Sequence, residues 1–471
     1  MRHEVLMLAA QRNMFLSPDA LDLVLSAPEP GAFINNILSS VSKNSMLIDK
    51  KDVLGFLSGD VPVKGVKTVA PKNKRQYDIS IIPGTDVTGE SMCEGKVDDF
   101  SKYFLSRYNM IRDILRRRLG AVLPVDRATS VSREVQVIGM VSEVTTTKNG
   151  HRMLRIEDES GSCKVIVLKD SPNINDIIVN DEVIGLVASP TRDGAMLVAS
   201  DIVRPGIPTD PWEDSDSVAS VAFLSDVHVG SHTFLETRWN NMIGWLKENA
   251  RKTDLDYIIL PGDVVDGIGI FPGQQEELMI DDIYKQYHRL AELLKEIPDH
   301  IKIVLQPGNH DAVRPAEPQP ALSEVFGRSF DSNVMLTANP VSLSIEGRTI
   351  LTYHGRSIDD WVASVQRLTY NDPVSIMKEM LERRHLAPMY GMKTALAPEK
   401  KDYLVIEKRP DIFVTGHVHG AATEEHRGIR LIAASTWQDQ TDFQRMHNFN
   451  PEPGIMPIVH LGTGKTTMKC F

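Results

Sequence analysis

The sequence predicts a multidomain protein in which an α/β domain follows a strand-rich barrel and a small helical N-terminal domain. Three observations support this prediction. The chain has 471 residues, which exceeds one ordinary domain, and 42% of them are hydrophobic, enough for several cores. The hydrophobic pattern also changes along the chain, from helical spacing to the alternation of strands, and then to short apolar strands separated by helices.

Residues 1–57 carry hydrophobic side chains at helical spacing, and Ser17-Pro18 resembles an N-cap followed by proline in the first turn. We therefore expect a small helical domain that serves for docking. Residues 58–95 are rich in proline, glycine and lysine, which is typical of a flexible linker. Contact between its lysines and nucleic acid is the alternative interpretation.

Residues 96–210 are predicted to form a helix followed by a β-barrel. The helix, residues 96–119, ends in Arg116, Arg117 and Arg118; these cations suit a helix C-terminus, and phosphate contact is the alternative. Five alternating runs and an Asn149-Gly150 turn signal predict an OB-fold; the runs are residues 135–144, 153–158, 163–168, 181–188 and 196–202. Residues 131–203 contain no Phe, Tyr or Trp, so packing or docking is at least as consistent with this barrel as stacking on bases.

The composition excludes several classes of protein. No run of 18 apolar residues exists, so no membrane contact is expected, and the N-terminus lacks the pattern of a signal peptide. Cys93, Cys163 and Cys470 are far apart, which argues against a disulfide scaffold or a zinc-thiolate site and favours a reducing cytoplasm. A net charge of -11 means that binding to DNA requires local basic patches or a partner that holds the DNA.

Residues 211–471 are predicted to form the α/β domain, in which short apolar strands lead into segments rich in metal ligands. The segments are Asp226-Val227-His228, Gly262-Asp263, Asn309-His310-Asp311, His354-Gly355 and Gly416-His417-Val418-His419. Loops at strand ends are where α/β folds place their chemistry. Carboxylate, amide and imidazole ligands in this number suit two divalent cations, with Mn²⁺ favoured and Mg²⁺, Fe or Zn as alternatives.

The expected ligands divide between two cations that share Asp263 as a bridge. The first cation is assigned Asp226, His228, Asp263 and His419, and the second is assigned Asp263, Asn309, His354 and His417. A hydroxide held between them is the expected attacking group.

Three further residues of these segments have expected roles. His310 is the candidate general acid, and Asp311 is expected to fix its tautomer. Asp266 is expected to cap the following helix, with orientation of a ligand as the alternative.

This motif set resembles the calcineurin-like metallophosphoesterase family, whose fold is two packed β-sheets flanked by helices. An OB-fold followed by such a domain resembles the small subunits of replicative DNA polymerases. Local stretches are similar to the archaeal D-family DNA polymerase small subunit: His354 to Trp361, Arg383 to Pro388, Tyr390-Gly391, Ala397 to Glu399, Asp402 to Leu404 and Pro410 to His419. The resemblance covers about residues 96–471, and residues 1–60 match only loosely.

The resemblance implies a metal-dependent 3′–5′ exonuclease that proofreads within a DNA-directed DNA polymerase complex. Its implied partners are the large polymerising subunit, DNA with a 3′ end and, through the complex, a sliding clamp. Two alternatives stay open: a non-catalytic scaffold subunit, and a metal-dependent phosphatase with the same ligands.

Overall fold

The computed structural model describes residues 77–446 and 449–471, together with positions 5, 8, 15–25, 30–31, 33–34, 37, 47–48 and 53. Two units are distinguished, Met1–Gln76 and Tyr77–Phe471. In the first unit, strand β1 (Phe15–Leu16) pairs in parallel with β2 (Leu47–Ile48), and helix α1 spans Pro18–Leu25. The Ser17 hydroxyl accepts the Ala20 backbone N–H at 3.3 Å, so Ser17 caps α1 as the sequence predicts.

The second unit begins where the sequence predicts a flexible linker. Strand β3 (Ile79–Ile81) pairs antiparallel with β14 (Val341–Ile345), so the linker prediction for residues 58–95 is wrong at this strand. The proline- and lysine-rich composition concealed a short Ile-Ser-Ile alternation, and both isoleucines pack on the hydrophobic core. Residues 58–76 lie outside the described residues.

A five-stranded barrel follows helix α2 (Val97–Leu115). Its strands are β5 (Val135–Thr146), β6 (Arg152–Asp158), β7 (Gly161–Val167), β8 (Val183–Pro190) and β9 (Leu197–Val203), preceded by the short β4 (Val122–Leu123) and α3 (Val125–Ala128). Pairing of β5 with β8 closes the order β5-β6-β7-β9-β8 into a barrel. All five strands coincide with the predicted runs, because inward-facing residues alternate with exposed ones along each strand.

Two six-stranded sheets form the rest of the unit, in the orders β13-β12-β11-β10-β19-β20 and β17-β18-β16-β15-β14-β3. The first contains β10 (Ser220–Phe223), β11 (Leu255–Pro261), β12 (Lys302–Gln306), β13 (Val334–Leu336), β19 (Ile455–His460) and β20 (Thr466–Cys470). The second adds β15 (Arg348–Tyr353), β16 (Ile412–Thr415), β17 (Ala422–His426) and β18 (Ile429–Ala433) to β14 and β3.

The two sheets pack face to face, and helices cover their outer faces. Apolar residues of β10, β11 and β12 meet those of β14, β15, β16 and β18 in one shared core. Helices α4 (Glu236–Asn249) and α5 (Ile283–Lys295) pack on the first sheet, and α7 (Ile358–Ser364) and α8 (Pro373–Arg383) pack on the second. The other helical elements from residue 77 onward are the short helices α6 (Glu324–Gly327) and α9 (Asp442–Met446) and the 3₁₀ helices Pro172–Asn175 and Gln274–Glu277. Two sheets flanked by helices agree with the predicted arrangement.

The barrel side and the sheet side meet at a buried ion pair. Arg107 of α2 donates to Asp402 at 2.8 Å, and both side chains are fully buried. Tyr103 and His385 also contact Asp402, at 2.9 and 2.8 Å. The pairing satisfies charges that would otherwise be costly to bury. None of the described helices is both long and apolar enough to span a lipid bilayer.

Candidate metal centre

The predicted ligands converge on one pocket because each follows the carboxyl end of a neighbouring strand. Strands β10, β11 and β12 lead into Asp226, Asp263 and Asn309, and β15 and β16 lead into His354 and His417. Parallel strands β10, β11 and β12 present their carboxyl ends at one edge, as do β15 and β16 in the facing sheet. The packing of the two sheets therefore brings distant segments of the chain together.

Three clusters of possible ligand atoms form here, and the atoms of each lie within 4.8 Å of one another. The first cluster contains Asp226, His228 and His419, the second contains Asp263, His354 and His417, and the third contains His228, Asp266 and His310. In the first cluster, the Nε2 atoms of His228 and His419 are 3.2 Å apart.

The remaining predicted ligand, Asn309, lies with the second cluster. In that cluster, Asp263 Oδ2 lies 3.3 Å from His354 Nε2, and Asn309 Oδ1 lies 3.1 Å from the same nitrogen. All seven predicted ligands are therefore in one place.

The backbone is unusual at five of these ligands. Asp226, His228, Asp263, His417 and His419 have φ values of 52°, 51°, 49°, 69° and 53°. Residues other than glycine seldom adopt this left-handed conformation, which is concentrated at functional sites. The chain turns sharply at each strand end, and the turn directs the side chain into the pocket.

Glycines beside the ligands allow close approach. A Cβ atom at Gly262 would lie 2.6 Å from His354 Nδ1, and one at Gly308 would overlap Asp263 Oδ1. A Cβ atom at Gly416 would overlap Ser225 Oγ and lie 2.6 Å from Asp226 Oδ2. The glycines of these motifs are therefore explained by space around the ligands.

Each imidazole has one nitrogen occupied by a neighbouring group. His228 Nδ1 lies 3.0 Å from Asp266 Oδ1, and His354 Nδ1 lies 2.9 Å from the Pro261 carbonyl oxygen. These contacts leave Nε2 of both rings for a cation. His417 is reversed: Nε2 faces Asp359 Oδ1 at 3.4 Å, so Nδ1 is the nitrogen left for a ligand bond.

His419 is held from the C-terminal segment. Its Nδ1 lies 2.9 Å from the Gln444 side-chain amide, and its ring packs against Phe449 at 6.2 Å between centroids. From the same segment, Gln438 donates to Asp266 Oδ1 at 3.2 Å and to Ser231 at 2.9 Å. Gln438, Gln444 and Phe449 therefore lie beside the site.

Burial and mutual charge shift the pKa values of the ligands. Burial opposes the ionisation of Asp263, but the charges of His354 and His310 hold the pKa of Asp263 well below its usual value. Burial lowers the pKa of His354, but the negative charge of Asp263 outweighs it and raises that pKa to about 9. Burial lowers the pKa of His228 and of His417 despite their carboxylate partners.

The residues present fit divalent cations. Asp226 Oδ1 is buried and accepts no hydrogen bond from any described residue, while His419 Nε2 and His228 Nε2 lie 3.4 and 3.9 Å from it. A carboxylate oxygen and two imidazole nitrogens that face one another in a buried space are the donor set of a Mn²⁺, Fe or Zn site. Without a cation, burying these groups together would be costly.

His310 is at the edge of the pocket, but its predicted partner is different. His310 Nδ1 donates to the Asp266 carbonyl oxygen at 2.8 Å, and its Nε2 lies 4.0 Å from Asp263 Oδ2. The expectation that Asp311 fixes the His310 tautomer is therefore wrong, because a backbone carbonyl holds Nδ1. Asp311 instead accepts the Gly308 N–H at 2.8 Å and the Tyr287 hydroxyl at 3.0 Å. Burial and the charge of Asp263 raise the pKa of Asp311 to about 7.

The sequence analysis missed two residues that contact the ligands, Asp359 and Gln444, and favoured another role for a third, Asp266. Asp266, which we expected to cap a helix, holds His228, so the alternative role is the one observed. Asp359, which holds His417, was not singled out, although it lies five residues after the ligand His354. A carboxylate shortly after a ligand histidine was the only available signal. Gln444 had no local signal at all.

Comparison with known proteins agrees with the resemblance found in the sequence. The family of DNA polymerase alpha/epsilon B subunits matches residues 221–423. A novel archaeal phosphodiesterase of known structure is 11% identical, and the match covers 54% of this chain and 99% of that chain with a TM-score of 0.28. A TM-score this low does not define a shared fold.

Relatives of known name match nearly the whole chain. The DNA polymerase II small subunit of Archaeoglobus fulgidus is 38% identical over 467 residues, which covers 96% of this chain and 94% of the relative. That of Methanothermobacter thermautotrophicus is 35% identical over 482 residues, covering 98% and 99%. That of Thermoplasma acidophilum is 35% identical over 466 residues, covering 98% and 91%. The chain therefore belongs to the family of archaeal D-family DNA polymerase small subunits, those of DNA polymerase II.

Proposed function

We propose that this chain is the proofreading subunit of a two-subunit DNA polymerase and acts as a di-metal 3′–5′ exonuclease. The observation that carries the proposal is the convergence of seven predicted ligands into two clusters in one buried pocket. Mn²⁺ is the favoured cation because the ligand set mixes carboxylates, an amide and imidazoles.

Asp226, His228 and His419 would hold one cation, and Asp263, Asn309, His354 and His417 would hold the other. When bound, such a pair lowers the pKa of an attacking water and neutralises the charge of the phosphodiester. Asp266 and Asp359 hold His228 and His417 in the orientations that ligand bonds require. The sheet edges fix the positions of the carboxylates, so little reorganisation accompanies the reaction.

His310 is the proposed general acid. Because the Asp266 carbonyl can only accept a hydrogen bond, His310 Nδ1 keeps its proton, and Nε2 is the nitrogen that gains or loses one. Nε2 lies on the pocket side, 4.0 Å from Asp263 Oδ2. From there it protonates the 3′ oxygen of the penultimate nucleotide as that oxygen leaves, and a 5′-nucleotide is released.

The partner proposed for this chain is a large polymerising subunit. The relatives are named as small subunits, which supports a larger companion chain. The net charge of -11 also favours a partner that supplies much of the grip on DNA, and a sliding clamp would act through the complex.

The test compares His310→Ala with the parent and with His288→Ala. His288 is an exposed histidine on α5, with 73% of its side chain accessible, and it serves as the matched control. Release of nucleotides from a mismatched primer end is measured with Mn²⁺, with a chelator, and with and without the large subunit. We expect His310→Ala to lose about 10²–10⁴-fold in turnover while its bound manganese is unchanged. Equal rates in all three proteins would refute the role of His310.

Two rival functions give different results in the same assays. A scaffold subunit would bind no manganese and release no nucleotide. A phosphatase would hydrolyse phosphoserine peptides in preference to DNA ends. The buried Asp226 Oδ1 and the facing imidazoles argue against the scaffold, because a bound cation would offset the cost of burying them together.

A further inference from the structure

Two basic side chains lie at one side of the metal pocket and have no assigned role. The first, Arg356, lies two residues after the ligand His354, in the connection between β15 and α7. Its side chain is 31% exposed, and its Nη1 lies 3.9 Å from Asp359 Oδ2, a weak ion pair. No described residue accepts a hydrogen bond from its guanidinium group. Most of the donor capacity of Arg356 is therefore unused.

Lys393 is the second basic residue, and it approaches the same place from another loop. Its backbone N–H donates to Asp360 Oδ1 at 2.8 Å, and the residue is exposed. Burial opposes ionisation of Asp359, but the charges of His417, Arg356 and Lys393 lower its pKa. Arg356 is paired with Asp359, and the Lys393 backbone is bound to the adjacent Asp360, so both basic residues lie beside the residue that holds the ligand His417.

The two carboxylates at this side of the pocket are largely buried and already accept hydrogen bonds. Asp359 faces His417 at 3.4 Å and accepts the Tyr370 hydroxyl at 3.0 Å, with 15% of its side chain exposed. Asp360 is 1% exposed and accepts backbone N–H groups. Solvent therefore meets the basic side chains rather than the carboxylates.

The His228 side of the site carries carboxylates. Burial, together with the charges of Asp442 and Asp266, raises the pKa of Glu277. Asp266 contacts His228, and the Glu277 carbonyl accepts the His232 N–H at 2.9 Å, so both residues lie on the His228 side. An anionic strand would be repelled there and attracted on the His417 side.

We propose that Arg356 and Lys393 bind the phosphodiester next to the scissile one and so position a DNA strand across the His417 side of the pocket. This inference rests on the exonuclease proposed above and names the contact that recognises its substrate. A guanidinium presents a planar fork that matches two phosphate oxygens, and a nearby ammonium adds charge. The two residues supply the local basic patch that an acidic chain requires to act on DNA.

The test separates recognition of the strand from chemistry at the scissile bond. The test compares four variants: Arg356→Ala, Arg356→Lys, Lys393→Ala and the control Arg328→Ala. Arg328 lies at the end of α6, and 78% of its side chain is exposed. Each protein is assayed with Mn²⁺ on a single-stranded oligonucleotide and on bis(p-nitrophenyl) phosphate, which has no neighbouring phosphodiester. We expect the KM for the oligonucleotide to rise about tenfold in Arg356→Ala, with kcat and small-substrate turnover retained. In Arg356→Ala, the slope of log affinity against log salt concentration should also become about 0.7 less steep.

Equal losses on both substrates would overturn the inference, because Arg356 would then act by positioning His417. An unchanged KM for DNA would overturn it as well. If the parent hydrolyses neither substrate, the proposed exonuclease fails, and the inference is judged by binding alone. In that case, fluorescence anisotropy with a phosphorothioate oligonucleotide must show weaker binding by Arg356→Ala than by Arg328→Ala.

Discussion

Asp266→Asn should weaken the binding of one metal ion while leaving the fold intact. Asp266 accepts from three N–H donors: His228 Nδ1 at 3.0 Å, Gln274 Nε2 at 3.0 Å and Gln438 Nε2 at 3.2 Å. An asparagine must turn its own NH₂ group toward at least one of them. Gln274 cannot rotate to compensate without giving up its bonds to the Asp266 carbonyl and the Ile270 N–H. One donor therefore loses its acceptor, and His228 loses a charged partner.

The size of the effect follows from the role of this contact. Loss of the carboxylate that orients a ligand histidine typically costs 10–100-fold in metal affinity, which is about 1.4–2.8 kcal/mol. The second cluster does not include Asp266, so only the cation at Asp226, His228 and His419 should bind more weakly. Titration calorimetry of metal-free protein with MnCl₂ should resolve one weakened site and one unchanged site.

Asp411→Asn is the matched control for this prediction. Asp411 accepts the Thr349 N–H at 2.8 Å and precedes β16, whereas the ligand His417 follows the other end of that strand. The same substitution there should leave both manganese affinities unchanged. The reasoning is refuted if Asp266→Asn binds two manganese ions as tightly as Asp411→Asn does.

The remaining predictions concern glycine, protons and backbone strain. Gly416→Ala should abolish tight manganese binding because the added Cβ atom would overlap neighbouring side chains. In the control Gly420→Ala the added Cβ atom has no neighbour closer than 3.9 Å, so mass spectrometry should find normal manganese content. The pKa of His354 is raised to about 9, and His354 must be neutral to bind a cation, so manganese affinity should rise about tenfold per pH unit up to about pH 9. Calorimetry in buffers of different ionisation enthalpy should detect the proton that is released on binding. In thermal unfolding of the metal-free protein, His417→Gly should be more stable than His417→Ala by about 1–2 kcal/mol because φ is positive at residue 417. At residue 354, where φ is not positive, glycine should be no more stable than alanine.

The sequence was sufficient to predict which side chains meet at the candidate metal centre, because their segments follow buried strands. Asp226, Asp263 and Asn309 come directly after runs of apolar, β-branched residues, and parallel strands place their carboxyl ends at one edge. The barrel strands could be predicted for a related reason, since alternation along each strand reports which side faces the core.

The groups around the ligands could not be predicted because they come from other loops. Gln444 is 25 residues from His419, and no local spacing relates the two. Asp266 was assigned to capping from its neighbours in sequence, while its actual partner, His228, lies 38 residues away. Strand β3 was missed for the same reason: its edge position depends on β14, far along the chain, and composition alone suggested a linker.

The strained backbone bears on the choice between an exonuclease and a scaffold. Five non-glycine ligands adopt positive φ, and each such residue costs roughly 1 kcal/mol or more. Glycine or asparagine at these positions would reduce that cost, and apolar side chains would remove the buried charges of Asp226 and Asp263. A surface that only docks a partner has no use for such residues at the bottom of a pocket. Two cations would stabilise all of them at once, because the positive φ values direct the ligand atoms together and the cations offset the charge that burial makes costly. The same features that destabilise the metal-free pocket are therefore the ones that would prepare it for the two metal ions of the proposed exonuclease.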